Sequence, residues 1–183
     1  MASYDSELLI AADQLIARDA RQRGRLPLAR IRRSISTSYY AIFHFVLDEI
    51  GLRIVGKDSH LRQRRQALGR TVSHQAIKAA LEKMRGASVH TSVAALFAGG
   101  AVVPTPGFVQ HFANAFADTQ AKRHDADYNL GSELSEADAR LLRLRVDKAI
   151  KTWRSARTAS DRDFKQGLAL LIVLRGQLRA DTK

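Results

Sequence analysis

An all-α fold is predicted by three observations. Apolar residues recur at helical spacing through most of the chain, strand-type alternation is scarce, and prolines occur only at 27, 104 and 106 of 183 residues. The expected architecture is an up-and-down helical bundle with an extra C-terminal helix, as a single domain over residues 1–183.

The elements follow in order. A first helix is expected from near Tyr4 to about Gln22, with Asp5 or Ser6 as cap and Leu8, Leu9, Ala12, Leu15 and Ile16 as its inner stripe. Gly24 breaks it. Pro27 suits the first turn of a second helix, which Gly51 is expected to end. Residues 57–69 and 73–85 read as two shorter helices. Residues 86–107 carry Gly99, Gly100, Pro104 and Pro106 and no charged side chain, so they read as a long connection with a short helix at 92–97. Helical period returns at 108–128. Ser135-Glu-Ala-Asp138 resembles a capping box opening a helix to about Thr158, and Ser160-Asp-Arg-Asp163 repeats the device before a last helix to about Leu178. That last helix is apolar nearly all round at 168–174, so it must be covered either by the bundle or by a second subunit, and the second is favoured.

Composition narrows the function. With 45% hydrophobic and 26% charged residues the chain is expected to fold as a globular domain rather than remain disordered. The absence of cysteine excludes disulfides, thiolate metal sites and thiol nucleophiles. Neither a secretory leader nor a run long enough to span a bilayer is present, so a cytoplasmic protein without membrane contact is expected. Lys and Arg outnumber Asp and Glu by 30 to 18, a formal charge of +12, which favours a polyanionic partner, chiefly RNA.

Two helices carry unusual side chains. On 32–48, Ile31, Ile35, Ile42 and Val46 share the core face, whereas Arg33, Thr37, Tyr40, His44 and Asp48 share the opposite one. This second stripe is either a further packing surface with internally bonded hydroxyls or a polar seam that binds a ligand. On 108–128, Phe108, Phe112, Phe116 and Thr119 line one face, and Arg123 continues it. An arginine there needs an anionic partner, either Asp127 four residues on or a phosphate.

Arg33-Ser-Ile-Ser-Thr-Ser-Tyr-Tyr-Ala-Ile-Phe-His44, followed by Lys122-Arg-His-Asp-Ala-Asp-Tyr128, resembles the HEPN superfamily, in its branch with a Ser-Thr-x-Tyr-Tyr-Ala-x-Phe-His helix and a distal Arg-x-x-Ala-Asp-Tyr motif. The resemblance implies a HEPN-like helical bundle, a homodimer, and work on RNA in a toxin–antitoxin, defence or stress setting, with a nucleotidyltransferase-type antitoxin as a possible partner. It further implies a cleft holding Arg33, Thr37, Tyr40, His44 and Tyr128 beside Arg123, His124 and Asp127. Ribonuclease members place a histidine a few residues after the Arg-polar pair; here Asp127 and Tyr128 occupy that neighbourhood. Two outcomes stay open: an RNA- or partner-binding module, which is favoured, and a metal-independent endoribonuclease using Arg123, His124 and Asp127. Neither needs a cofactor or a metal. A remote alternative treats His124-Asp125 as the doublet of a metal phosphohydrolase, with His90 or His111 and Asp147 completing the shell.

Basic residues form three groups. Arg140, Arg143, Lys148, Lys151 and Arg154 make an outer stripe of the helix opened by Ser135 and are the expected RNA-backbone contacts. A second group spans 18–33, with Arg18, Arg25, Arg30, Arg32 and Arg33 among its members. Arg62, Arg64, Arg65 and Arg70 make the third.

Overall fold

A computed structural model describes residues 3–18, 24–97 and 102–174. Among them the fold is all-α: α1 (Tyr4–Ile16), α2 (Leu28–Ile54), α3 (Arg62–Thr71), α4 (His74–Glu82), α5 (Gly107–Tyr128), α6 (Glu136–Ser155) and α7 (Ala159–Val173), with 3-10 turns at Ser59–Leu61 and Thr91–Leu96. Extended pairing among the described residues is a single bridge between Ser88 and Pro104. No helix among them is long and apolar enough to cross a membrane. The contacts divide into two compact units, one of Met1–Phe45 and Ala115–Lys151, the other of Val46–Asn114 and Thr152–Lys183.

The first unit packs α1, the start of α2, the end of α5 and most of α6 around Ile16, Leu26, Ile31, Ile35, Ala126, Leu134, Ala139 and Leu142. Polar atoms stitch the helices where apolar contact gives no register. Buried Ser34 donates from Oγ to the Ala12 carbonyl at 2.9 Å, tying α2 to α1. Arg30 donates to the Leu15 and Ala17 carbonyls, at 2.8 and 2.9 Å, closing the end of α1 where carbonyls lack helical partners. Ser135 and Asp138 make the expected capping box at the start of α6: the Asp138 N–H donates to Ser135 Oγ, and the Ser135 N–H to Asp138 Oδ2.

The second unit is built around α7. Its Phe164, Leu168, Leu171 and Ile172 are buried, and it packs on α4 and on the 3-10 turn at Thr91–Leu96. Phe164 meets Phe97 with ring centroids 4.5 Å apart. The apolar girth of α7 is therefore largely covered within its own chain, with Leu170 and Leu174 left part-exposed, and a second subunit is not needed to explain it. Lys165 lies buried in the same unit. Its Nζ donates to the Trp153 and Ala156 carbonyls at the end of α6, at 2.8 and 2.6 Å, and sits 5.2 Å from the ring centroids of Phe108 and Trp153.

Several boundaries differ from expectation for local reasons. Gly51 does not end α2, which runs on to Ile54; Gly56, at φ +106°, comes after it. The glycine at 51 serves packing instead, because a Cβ there would stand 3.2 Å from the Cβ of Arg65 on α3. The last helix opens at Ala159, with Thr158 and Asp161 forming its capping box rather than Ser160 and Asp163. The α1 helix stops at Ile16, and the expected extension to Gln22, like that of α7 to Leu178, ends outside the described residues. The short helix in the 86–107 connection is the 3-10 turn, capped by His90.

Two outcomes follow. A methyl at Gly167 would lie 2.8 Å from both the Leu96 carbonyl oxygen and the Phe97 ring. Gly167→Ala is therefore expected to lower stability by about 1–3 kcal/mol, read from the urea midpoint, and an unchanged midpoint would show this contact to be soft. Burial lowers the pKa of Lys165, helped by Arg53 and Arg157 and opposed by Glu49 and Asp161. In the window just below the ordinary lysine value of about 10.4 the folded chain holds fewer protons at this site than the unfolded chain, so stability should rise with pH there and lose that gain as pH falls. Lys165→Met should abolish this increment in urea titrations just below the ordinary lysine value; an identical pH profile in both proteins would refute it.

Candidate functional site

The site is built where α2 meets the last two turns of α5, within the first unit. Positions 32, 36 and 40 share one face of α2, four residues apart, and each grips a different part of α5. Arg32 donates to the carbonyls of Asp125, Ala126, Asn129 and Leu130, with its shortest bond, 2.8 Å, to Ala126. A guanidinium among these carbonyls adds donors at the end of the helix, where backbone N–H groups run out, and meets its negative pole. Ser36 Oγ donates to Asp127 Oδ1. Tyr40 Oη lies 3.3 Å from Arg123 Nη2.

Arg123 is the hub. Its Nε sits 2.6 Å from Asp127 Oδ2, and its Nη2 also donates to Tyr128 Oη at 3.4 Å. The guanidinium carbon lies 5.8 Å from the ring centroids of Tyr39 and Tyr40 and 5.2 Å from that of Tyr128. Three phenol rings and a carboxylate thus surround one cation whose side chain keeps 22% exposure. Burial opposes the charge on Arg123, yet Tyr40 and Asp127 outweigh it and its pKa is raised. Tyr39, buried against Phe116, has its phenol pushed well above the ordinary value by burial, against the pull of Arg123.

The other expected cleft residues divide. Tyr128 joins Arg123 and is itself 63% exposed, which leaves most of its ring to solvent. His124 is exposed, with its ring 5.3 Å from that of Tyr128. His44 stands edge-on to Tyr4 at 4.9 Å and 6.4 Å from the ring of Tyr40. Arg33 is exposed, and Thr37 Oγ1 donates back to the Arg33 carbonyl of its own helix. The seam towards α5 therefore runs through Arg32, Ser36 and Tyr40 rather than Arg33, Thr37 and Tyr40. Tyr40 lies seven residues from one arginine and eight from the other, so helical spacing admits both stripes and only packing distinguishes them.

The outer stripe of α6 is largely neutralised. Arg140 pairs with Glu136 at 2.8 Å and donates to the Ile16 carbonyl. Arg143 pairs with Asp13 and Asp147, and Lys151 with Asp147, each through an i,i+4 or cross-helix contact. Hydrogen bonds from Arg18 and then Arg140 hold Glu136 below the usual carboxylate range. Lys148 is exposed and enters no ion pair among the described residues; Arg154 is exposed on the last turn of α6. No cluster of three or more His, Asp and Glu side chains suited to a metal occurs among the described residues.

No family model matches this chain, and no curated protein or solved structure is significantly similar to it. The site defines a class by its own geometry: an arginine caged by tyrosines at a helix–helix seam.

Arg123→Lys keeps the charge but removes the planar fork that serves Asp127, Tyr40 and Tyr128 together. With both ion-pair members partly exposed, the expected loss is about 1–2 kcal/mol in the urea midpoint. A midpoint equal to that of the parent would show that the cage contributes nothing to the fold.

Proposed function

We propose that this chain is a HEPN-like RNA-associated protein of a toxin–antitoxin, defence or stress module that binds RNA without cleaving it. One observation carries the reading: the two motifs of the resemblance meet side chain to side chain, Arg123 of the distal motif bonding to Tyr40 of the Tyr-Tyr helix. The partly exposed guanidinium and the exposed Tyr128 ring offer a phosphate fork beside a stacking face, the two chemistries that a nucleotide presents. The formal charge of +12 supplies long-range attraction. A homodimer and a nucleotidyltransferase-type antitoxin partner belong to the same proposal, on the resemblance alone.

Binding is preferred to cleavage because the cleaving groups are committed. Asp127, the candidate base, accepts from Ser36 on Oδ1 and faces Arg123 through Oδ2. Both of its carboxylate oxygens are thus engaged. His124, the other candidate, packs against Tyr128.

The test is fluorescence anisotropy with a short labelled RNA, followed by a denaturing gel of the same samples. Retention is expected at low salt, weakening steeply as salt rises, with the RNA intact. Absence of retention at low salt would remove RNA as the ligand. Cleavage products that disappear with Arg123→Lys would replace the proposal by the endoribonuclease reading.

A further inference from the structure

The charge of this protein is unevenly placed. Over the described residues, the first unit holds 12 Lys and Arg against 10 Asp and Glu, whereas the second holds 13 against 6. Much of that surplus lies on α3, Arg-Gln-Arg-Arg-Gln-Ala-Leu-Gly-Arg-Thr, which contains four arginines and no acid.

This helix violates its own local physics. It buries no residue. Its first turn holds no acidic residue, and Asp58, which precedes the 3-10 turn that leads straight into it, makes no side-chain cap bond. Arg62 and Arg64 stand in the first turn instead, adding like charge to the positive pole of the helix. Gly69 lies inside the helix although a Cβ there would meet nothing within 4 Å, so the glycine is not demanded by packing. One arginine is structural: Arg65 lays its stem on Gly51 and donates to the Gly56 and Asp58 carbonyls at 2.7 and 2.9 Å. That contact turns Arg65 and Leu68 inwards. Arg62, Gln63, Arg64, Gln66 and Arg70 are left exposed, and none of the three arginines enters an ion pair among the described residues. A solvated helix of ordinary function would interleave carboxylates at i,i+4. Local inconsistency of this kind marks a surface completed by a ligand.

We propose that the exposed side of α3, with Arg70 at its middle and Arg62 and Arg64 on its two flanks, is a docking surface for the phosphodiester backbone of RNA, and that this polyanion offsets the like charge at the start of the helix. The inference rests on the RNA reading above but on a different element. Phosphates neutralise the three arginines and the positive pole of the helix together, so binding and helix stability are coupled. The arginine spacing, about 12 Å from Arg62 to Arg70 along the axis, spans several phosphates and carries no base-specific requirement.

The triple variant Arg62→Glu, Arg64→Glu and Arg70→Glu tests it with opposed readouts. Two of the glutamates fall in the first turn, where they suit the helix, and the third in the last turn, where it opposes the dipole, so the thermal midpoint should stay about the same. RNA affinity at about 100 mM salt should fall at least about tenfold, and the log–log salt slope should flatten by about 2. A second measurement is hydrogen exchange of the full chain: peptides covering 59–71 should gain protection when the RNA is added. Affinity within twofold of the parent, a lowered midpoint, or unchanged exchange at 59–71 under saturating RNA would each overturn the α3 assignment. In those cases the parent protein still binds, and the RNA reading stands. If the parent itself binds no RNA at low salt, that reading fails first.

Discussion

The geometry of the first unit depends on one polar seam, in which α2 holds the end of α5 by Arg32, Ser36 and Tyr40. Apolar packing alone would leave α5 free to slide or rotate, because aliphatic side chains interdigitate in several registers. Carbonyl oxygens at a helix end are fixed in number and direction, and a guanidinium that satisfies several of them at once admits a single register. With Arg32 locked on the carbonyls after Asp125, Ser36 falls opposite Asp127 and Tyr40 opposite Arg123. Each contact is individually modest. Their common spacing makes them one constraint, and the cage around Arg123 follows from it.

The same side-chain chemistry is used for two opposed purposes. Arg30 and Arg32 close helix ends, Arg18 and Arg140 share Glu136, and Arg143 and Lys151 share Asp147. The carboxylates offset part of this charge, so the field that these cations present to a distant polyanion is smaller than their number. Where a carboxylate or a helix C-terminus lies within reach, an arginine is consumed by the fold; Arg62 and Arg64 have neither, and Arg70 has only the C-terminal turn of its own helix. Net charge therefore points to a class of ligand, and the pairing pattern points to the surface.

Helix content and order were legible in the sequence because the 3.6-residue period is strong and the caps at Ser73 and Ser135 use ordinary chemistry. Boundaries were not, where one residue type has two uses. Gly51 reads as a terminator, yet it admits the stem of Arg65, and no local signal separates those roles. Thr158 with Asp161 and Ser160 with Asp163 are equivalent capping patterns two residues apart, and the packing of α7 selects the first. The Arg123–Asp127 pair was visible as an i,i+4 spacing. Ser36, Tyr39 and Arg32 escaped because the stripe through Arg33 shares Tyr40 with the true seam. The neutralised stripe of α6 was equally visible: Glu136 and Asp147 each stand four residues from the arginine or lysine that they hold.

The caged arginine and the bare helix represent two ways of meeting a phosphate. Arg123 is oriented in advance by a carboxylate and two hydroxyls, so little rotamer entropy remains to be lost when an anion arrives, but its charge is already partly answered. The arginines of α3 are unanswered and unrestrained: they attract strongly, lose more freedom on contact and impose little geometry. An orienting site with weak net charge and an attracting surface with weak orientation are complementary rather than redundant. In the proposed binding, contact at the arginines of α3 would depend on salt, whereas selectivity at Arg123 would come from Tyr128, which presents an exposed ring beside the fork. Removing charge from α3 should slow association, and disturbing the cage should alter which ligands stay bound.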